Sequence, residues 1–161
     1  SFEAYCIDPD QFSSSAWKPY EMAAFSTFSA HTGYDDVLKL YYNGYGGSLA
    51  SAEDAAAFQL ALWEVWKDTT HDLSAGSVKA TGTTNATVKS KAEALLAALP
   101  GWTSQADPSG LVAYTNTAYQ DYVVVGMVSL PVPEAETYAL AALGMGMVAM
   151  IARRRRRPIR I

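Results

Sequence analysis

The end of the chain constrains it most. Residues 138–152 read YALAALGMGMVAMIA, fifteen positions without a charge, and five arginines, Arg153, Arg154, Arg155, Arg156 and Arg157, follow at once. A bilayer core takes about 20 apolar residues and tolerates roughly 17. The run is short, and Leu130 to Val132 together with the aliphatic stems of flanking residues extend it. Clustered Arg stays on the cytoplasmic side of a membrane, so a domain preceding this tail is expected outside. The other reading is a buried core helix with a basic end. Five adjacent arginines do not pack into a globule, whereas a stop-transfer flank needs them. The expectation is therefore a transmembrane helix over 138–152 and a basic cytoplasmic tail over 153–161.

The charge balance divides at the same place. All six arginines lie in the last nine residues, and before them six lysines face sixteen acids, a net of −10 over residues 1–152. An acidic domain of this kind repels nucleic acid and argues against a DNA- or RNA-binding role. Half of the 161 residues are apolar, enough for a core in one domain, expected over 1–130. The chain opens on Ser1, which fits removal of an export signal. Its single cysteine, Cys6, has no partner within the chain for a disulfide.

Just before the apolar run stand Val132-Pro133-Glu134-Ala135. This Pro-Glu pair, the apolar run and the arginine cluster together resemble the PEP-CTERM sorting signal of Gram-negative bacteria. The usual core is Val-Pro-Glu-Pro, and Ala135 stands here for the second proline. The resemblance makes residues 131–137 the sorting motif and linker. It implies cleavage by an exosortase, a membrane transpeptidase-like enzyme, and a setting in exopolysaccharide or biofilm matrix. The tail would then anchor the chain in the inner membrane only before processing.

Within the domain, Phe2 to Ile7 alternates and is aromatic-rich, which predicts a strand ended by Asp8-Pro9-Asp10. Residues 11–34 show no period and read as loop with short pieces of structure. Asp35 to Tyr42 predicts a helix ending at Asn43-Gly44, with Gly44, Gly46 and Gly47 as a flexible joint. Ser51 to Trp66 is the clearest helix: Ser51 is a candidate N-cap, and Phe58, Leu62, Val65 and Trp66 form one apolar stripe. Val78 to Ala80 reads as a short strand. Thr84 to Leu99 reads as a helix stopped by Pro100-Gly101, and Leu111 to Tyr114 and Tyr122 to Leu130 as strands.

Two short segments carry chemistry. One is Tyr5-Cys6-Ile7-Asp8, with the only thiol; the other is Phe58-Gln59-Leu60-Ala61-Leu62-Trp63, a primary amide in a nearly all-apolar helical segment. A buried amide without partners costs on the order of 1–3 kcal/mol, so something must offset it. One offset is covalent. A cysteine sulfur held against a glutamine carboxamide displaces ammonia and leaves an internal thioester between Cys6 Sγ and Gln59 Cδ. Apolar walls are needed to keep water from the acyl group, and Tyr5, Phe58 and Trp63 flank the two positions.

At these residues the sequence resembles the bacterial thioester domain family, known from Gram-positive surface adhesins. That family pairs an aromatic-Cys-aliphatic strand with a later Gln-x-x-aliphatic segment, as Tyr5-Cys6-Ile7 and Phe58-Gln59-Leu60-Ala61-Leu62 do here. Similar domains with Cys-Ile-Asp, Phe-Gln-x-Ala-x-Trp-Glu and a late Gln-Asp pair, here Gln120-Asp121, occur in front of PEP-CTERM tails. The resemblance implies an α+β fold, a β-sandwich-like body with a helical part, and covalent attachment through the thioester. The implied partner is a surface or matrix nucleophile, a protein amine or a sugar hydroxyl, or another copy of the chain in a cross-linked fibre. Such a bond reacts once without turnover, so the chain is not expected to be an enzyme, and no cofactor or metal is called for.

Other readings of the same residues stay open. Cys6 as an ordinary buried cysteine and Gln59 as a satisfied core amide would leave a non-covalent structural or polysaccharide-binding matrix protein. His31 and His71 allow a Cys–His nucleophilic pair on paper. No ligand pair sits at zinc-motif spacing, and Asp8 and Asp10 match no EF-hand loop, reading rather as a capped turn.

Overall fold

A computed structural model describes residues 4–68, 70–82, 84–104 and 110–126. The chain divides into two units, Ser1–Val128 and Ser129–Ile161. The sorting motif, the apolar run and the arginine cluster all fall in the second and lie outside the described residues. Among those described, no helix is long and apolar enough to cross a membrane.

Four short strands build one antiparallel sheet: β1 (Ala4–Cys6), β2 (Glu21–Ala24), β3 (Leu111–Thr115) and β4 (Tyr122–Val125), in the order β1-β4-β3-β2. Side chains alternate between the faces of a strand, so the register assigns them. Tyr5 lies opposite Val123, and Val123 opposite Ala113. These three are buried in the main core, so their face is the inner one. Cys6 lies opposite Tyr122, which lies opposite Tyr114, and that row points to the other face.

Three helices cover the inner face: α1 (Tyr34–Ser48), α2 (Ala52–Lys67) and α3 (Ala86–Ala98). α2 starts where its cap predicts, with Ser51 Oγ accepting from the Asp54 N–H at 3.1 Å. Asn85 caps α3 by accepting from Thr87 N at 2.8 Å. Phe58, wholly buried, sits where helices and sheet meet, its ring 4.6 Å from that of Tyr5 and 5.3 Å from that of Tyr41. Burying a side chain of this size contributes roughly 2–3 kcal/mol. The Tyr41 hydroxyl, donating to the Val123 carbonyl at 3.0 Å, ties α1 to the sheet.

Several expectations are corrected. The body is one sheet under a helical layer, where a β-sandwich-like body was expected, and the class is α+β. α1 does not stop at Gly44 but runs to Ser48 through all three glycines. A Cβ on Gly44 would touch Phe58 and Leu95 at 3.4 Å, so the missing side chain lets α1 approach its neighbours closely. Val78 to Ala80 is no strand; the Asp68 carboxylate accepts from Ser77 N and Val78 N and fixes a turn there. β2 arises in the stretch read as loop, and the strand read over Tyr122 to Leu130 ends at Val125, with residues 127–130 outside the described set.

Glu64 on α2 is a wholly buried acid. Its Oε1 accepts from Asp72 N at 2.8 Å, while Oε2 has no partner among the described residues. Burial raises its pKa above the ordinary carboxyl value of 4.5, with the Asp72 N–H opposing and the Asp68 charge adding. A carboxyl raised on folding holds its proton more tightly in the native state, so stability falls as pH climbs through the folded pKa and the cost is absent below the unfolded value. Glu64→Gln keeps an acceptor for Asp72 and cannot ionise. Its melting temperature is expected to gain on that of the parent as pH rises from about 4 to about 8, a series of thermal melts being the check. A constant difference across the series would contradict this.

Candidate functional site

Among the described residues β1 is an edge strand, with β4 on one side only. Ile7 turns its N–H toward β4 and donates to the Asp121 carbonyl at 2.8 Å. The neighbouring residue of a strand directs its backbone groups the other way, so Cys6 presents N–H and C=O to the free edge. The Gln59 carboxamide meets both. Its Oε1 accepts from Cys6 N at 2.9 Å and its Nε2 donates to Cys6 O at 2.7 Å. A pair 53 positions apart in sequence is thus joined at one residue.

Helix periodicity explains how α2 reaches that edge. Gln59, Trp63 and Lys67 recur every four residues and share one helix face. Lys67 Nζ pairs with Asp10 at 2.5 Å and Asp8 at 3.4 Å, so this face follows the chain from Cys6 to Asp10. Asp8 and Asp10 thereby hold the helix, beyond the capped turn their sequence predicts.

The expected shielding residues take unequal positions. Tyr5 and Phe58 are buried and pack ring to ring on the inner side, with the Tyr5 hydroxyl donating to Ser48 Oγ at 2.7 Å. Trp63 packs against the core, its indole N–H without a partner among the described residues. Cys6 and Gln59 themselves are half-buried. Burial pushes the Cys6 thiol up, and a hydrogen bond from Tyr122 opposes that rise. Burial first, and the neighbouring Cys6 next, push Tyr122 up to about 12, so its phenol stays protonated. Sequence reasoning missed Tyr122. Its signal was its place in the strand YVVV, but facing Cys6 depends on a register that no local pattern sets.

The arrangement has two chemical readings. As it stands, Gln59 is a satisfied amide that closes the backbone edge of β1. The same two hydrogen bonds also hold its carboxamide carbon beside the residue bearing the only thiol. Both histidines are engaged elsewhere. His31 stacks on Trp66 with ring centroids 3.5 Å apart and accepts from Gly33 N, and His71 Nε2 meets Asp36 at 3.0 Å. Neither forms a Cys–His pair with Cys6. Among the described residues, no group of His, Cys, Asp and Glu is placed to hold a metal ion.

Comparison with known families assigns the C-terminal part. Residues 131–157 match the PEP-CTERM protein-sorting motif. The chain therefore carries a sorting signal of that family, which implies export and processing by an exosortase. No curated protein and no solved structure matches the chain.

Proposed function

We propose that the protein is an exported surface or matrix protein that attaches covalently to a partner through a Cys6–Gln59 thioester. Cys6 Sγ adds to Gln59 Cδ, the Cδ–Nε2 bond breaks, and ammonia leaves with the thiol proton. The acyl group then waits for one amine or hydroxyl nucleophile. Val132, Pro133 and Glu134 direct the chain to the exosortase, residues 138–152 hold it in the inner membrane until cleavage, and Arg153–Arg157 mark the cytoplasmic side.

The observation that carries this reading is the pair of hydrogen bonds between the Gln59 carboxamide and the Cys6 backbone. The buried Tyr5 and Phe58 rings wall off one side, and Tyr122 faces Cys6 across the strand pair. Intact mass of freshly purified, never-reduced protein tests it. The parent is expected to be lighter than its sequence by one ammonia, and Cys6→Ala and Gln59→Ala to show no such deficit. An unmodified parent mass would sink the thioester.

One observation favours a second reading, a non-covalent matrix protein. Both polar atoms of the Gln59 amide are already satisfied by Cys6, so the fold accounts for a half-buried amide without a covalent bond. The same mass measurement separates the two.

A further inference from the structure

The outer face of the sheet carries a feature that attachment through Cys6 and Gln59 does not by itself require. Trp17, Tyr20, Tyr114 and Tyr122, with Ala4 and Val124 as floor, line an open groove. Trp17 is fully exposed, and Tyr20 and Tyr122 meet edge to face at 5.6 Å. One fully exposed and three half-buried aromatics side by side on the outer face offer stacking surface to a ligand. The groove adjoins the half-buried pair directly, because Tyr122 is both its wall and the cross-strand neighbour of Cys6.

The lining selects the occupant. Among the described residues, the one charged side chain in the lining is Lys18, whose Nζ sits 4.7 Å over the ring of Tyr119. No carboxylate among the described residues lines the groove to pair with an ammonium, and the local cation repels one. A lysine side chain is therefore poorly matched. An acidic polymer meets one cation in a domain that is strongly acidic overall. A neutral sugar chain fits each element: the C–H faces of its rings stack on Trp and Tyr, and phenol hydroxyls bond its hydroxyls.

We propose that this groove is the acceptor site for a neutral polysaccharide, which lies across the aromatic faces and presents one sugar hydroxyl to the Cys6–Gln59 linkage. The covalent step rests on the thioester reading. The sugar oxygen attacks Gln59 Cδ, a Cδ–O ester bond forms, the Cδ–Sγ bond breaks, and the hydroxyl proton ends on Cys6 Sγ. Tyr122, the cross-strand neighbour of Cys6, is the hydroxyl nearest at hand in the register to steady the negative charge the sulfur carries as it leaves.

The test uses the full chain in detergent and a panel of neutral hexasaccharides of glucose, mannose and galactose. Binding is first measured by calorimetry on Cys6→Ala, which has no thioester. At least one hexasaccharide is expected to bind, and Trp17→Ala added to this variant to weaken it about tenfold, a loss in the range for one aromatic contact. Trp17 is fully exposed, so this change leaves the fold intact. The parent protein is then expected to gain the mass of one such oligosaccharide, while a lysine-rich peptide gives little adduct. The proposal is overturned if no hexasaccharide binds, if Trp17→Ala leaves binding unchanged, or if the peptide is captured in preference. Sugar binding that depends on Trp17, in a parent that shows no ammonia deficit, would support the groove as a sugar site and remove the thioester reading alone.

Discussion

If Cys6 and Gln59 form the proposed thioester, methylamine is expected to open it in the folded protein, placing the amine on Gln59 and freeing the Cys6 thiol. Both residues are half-buried, so a small nucleophile reaches the acyl carbon without global unfolding. Attachment to partner material should then fall to background, because no second electrophile remains. The linkage closes a loop of 53 positions, and by analogy with a disulfide its loss costs on the order of 4 kcal/mol. The melting temperature should therefore drop, whether the bond is opened by amine or prevented by Cys6→Ala. The fold should survive in both cases, since the sheet pairing and the caps at Ser51 and Asn85 do not use the bond. What separates an attachment device from a structural cross-link is reactivity in the native state. A structural bond would incorporate amine only after denaturation, and that result, read by mass on native and denatured samples, would remove the attachment function.

Gly33→Ala should be the most damaging single-methyl change available in the described residues. Gly33 has an ordinary φ of −83°, so backbone strain is not the issue. A Cβ there lands on the Val65 carbonyl oxygen and within 3.0 Å of its carbon and 3.1 Å of Trp66 Cα, all backbone atoms of α2. No rotamer relieves a clash with backbone, so the start of α1 must move off the end of α2, at about 3 kcal/mol or more. Gly46→Ala is the matched control. It lies inside α1 with nothing within 4 Å of the added methyl, and should stabilise by about 0.5–1 kcal/mol through helix propensity. Denaturant melts of the two variants should shift in opposite directions. A Gly33→Ala protein as stable as the parent would mean that the close approach of α1 and α2 is wrong.

Local signals were legible in the sequence where they decide structure alone. The stripe and cap of α2, the helix read over Thr84 to Leu99 and the Val-rich β4 are of this kind, and the sorting motif was legible from its adjoining parts. Where tertiary contacts decide, the sequence misleads. β2 reads EMAA, with no strand preference beyond neutral, and is extended because β3 pairs with it from Glu21 to Ala24. α1 crosses three glycines that predict a break, because Gly44 is packed between Phe58 and Leu95. Val78 to Ala80 has β-branched character, yet Asp68, ten positions earlier, turns it. The pairing of Cys6 with Gln59 was legible as chemistry, from one thiol and one amide in an apolar setting. Tyr122 was not, because its place depends on which residue of β4 faces Cys6.

The two ends of the sheet differ in what they leave open. At β1, Gln59 occupies the hydrogen-bonding groups that another strand would need. At β2, the outer side has no strand neighbour among the described residues, and Met22 stands 61% exposed. A sheet with one open end accepts one neighbour and no more. Two copies joined through β2 would close on a two-fold axis, with the Gln59 amides on the Cys6 backbone at the two far ends.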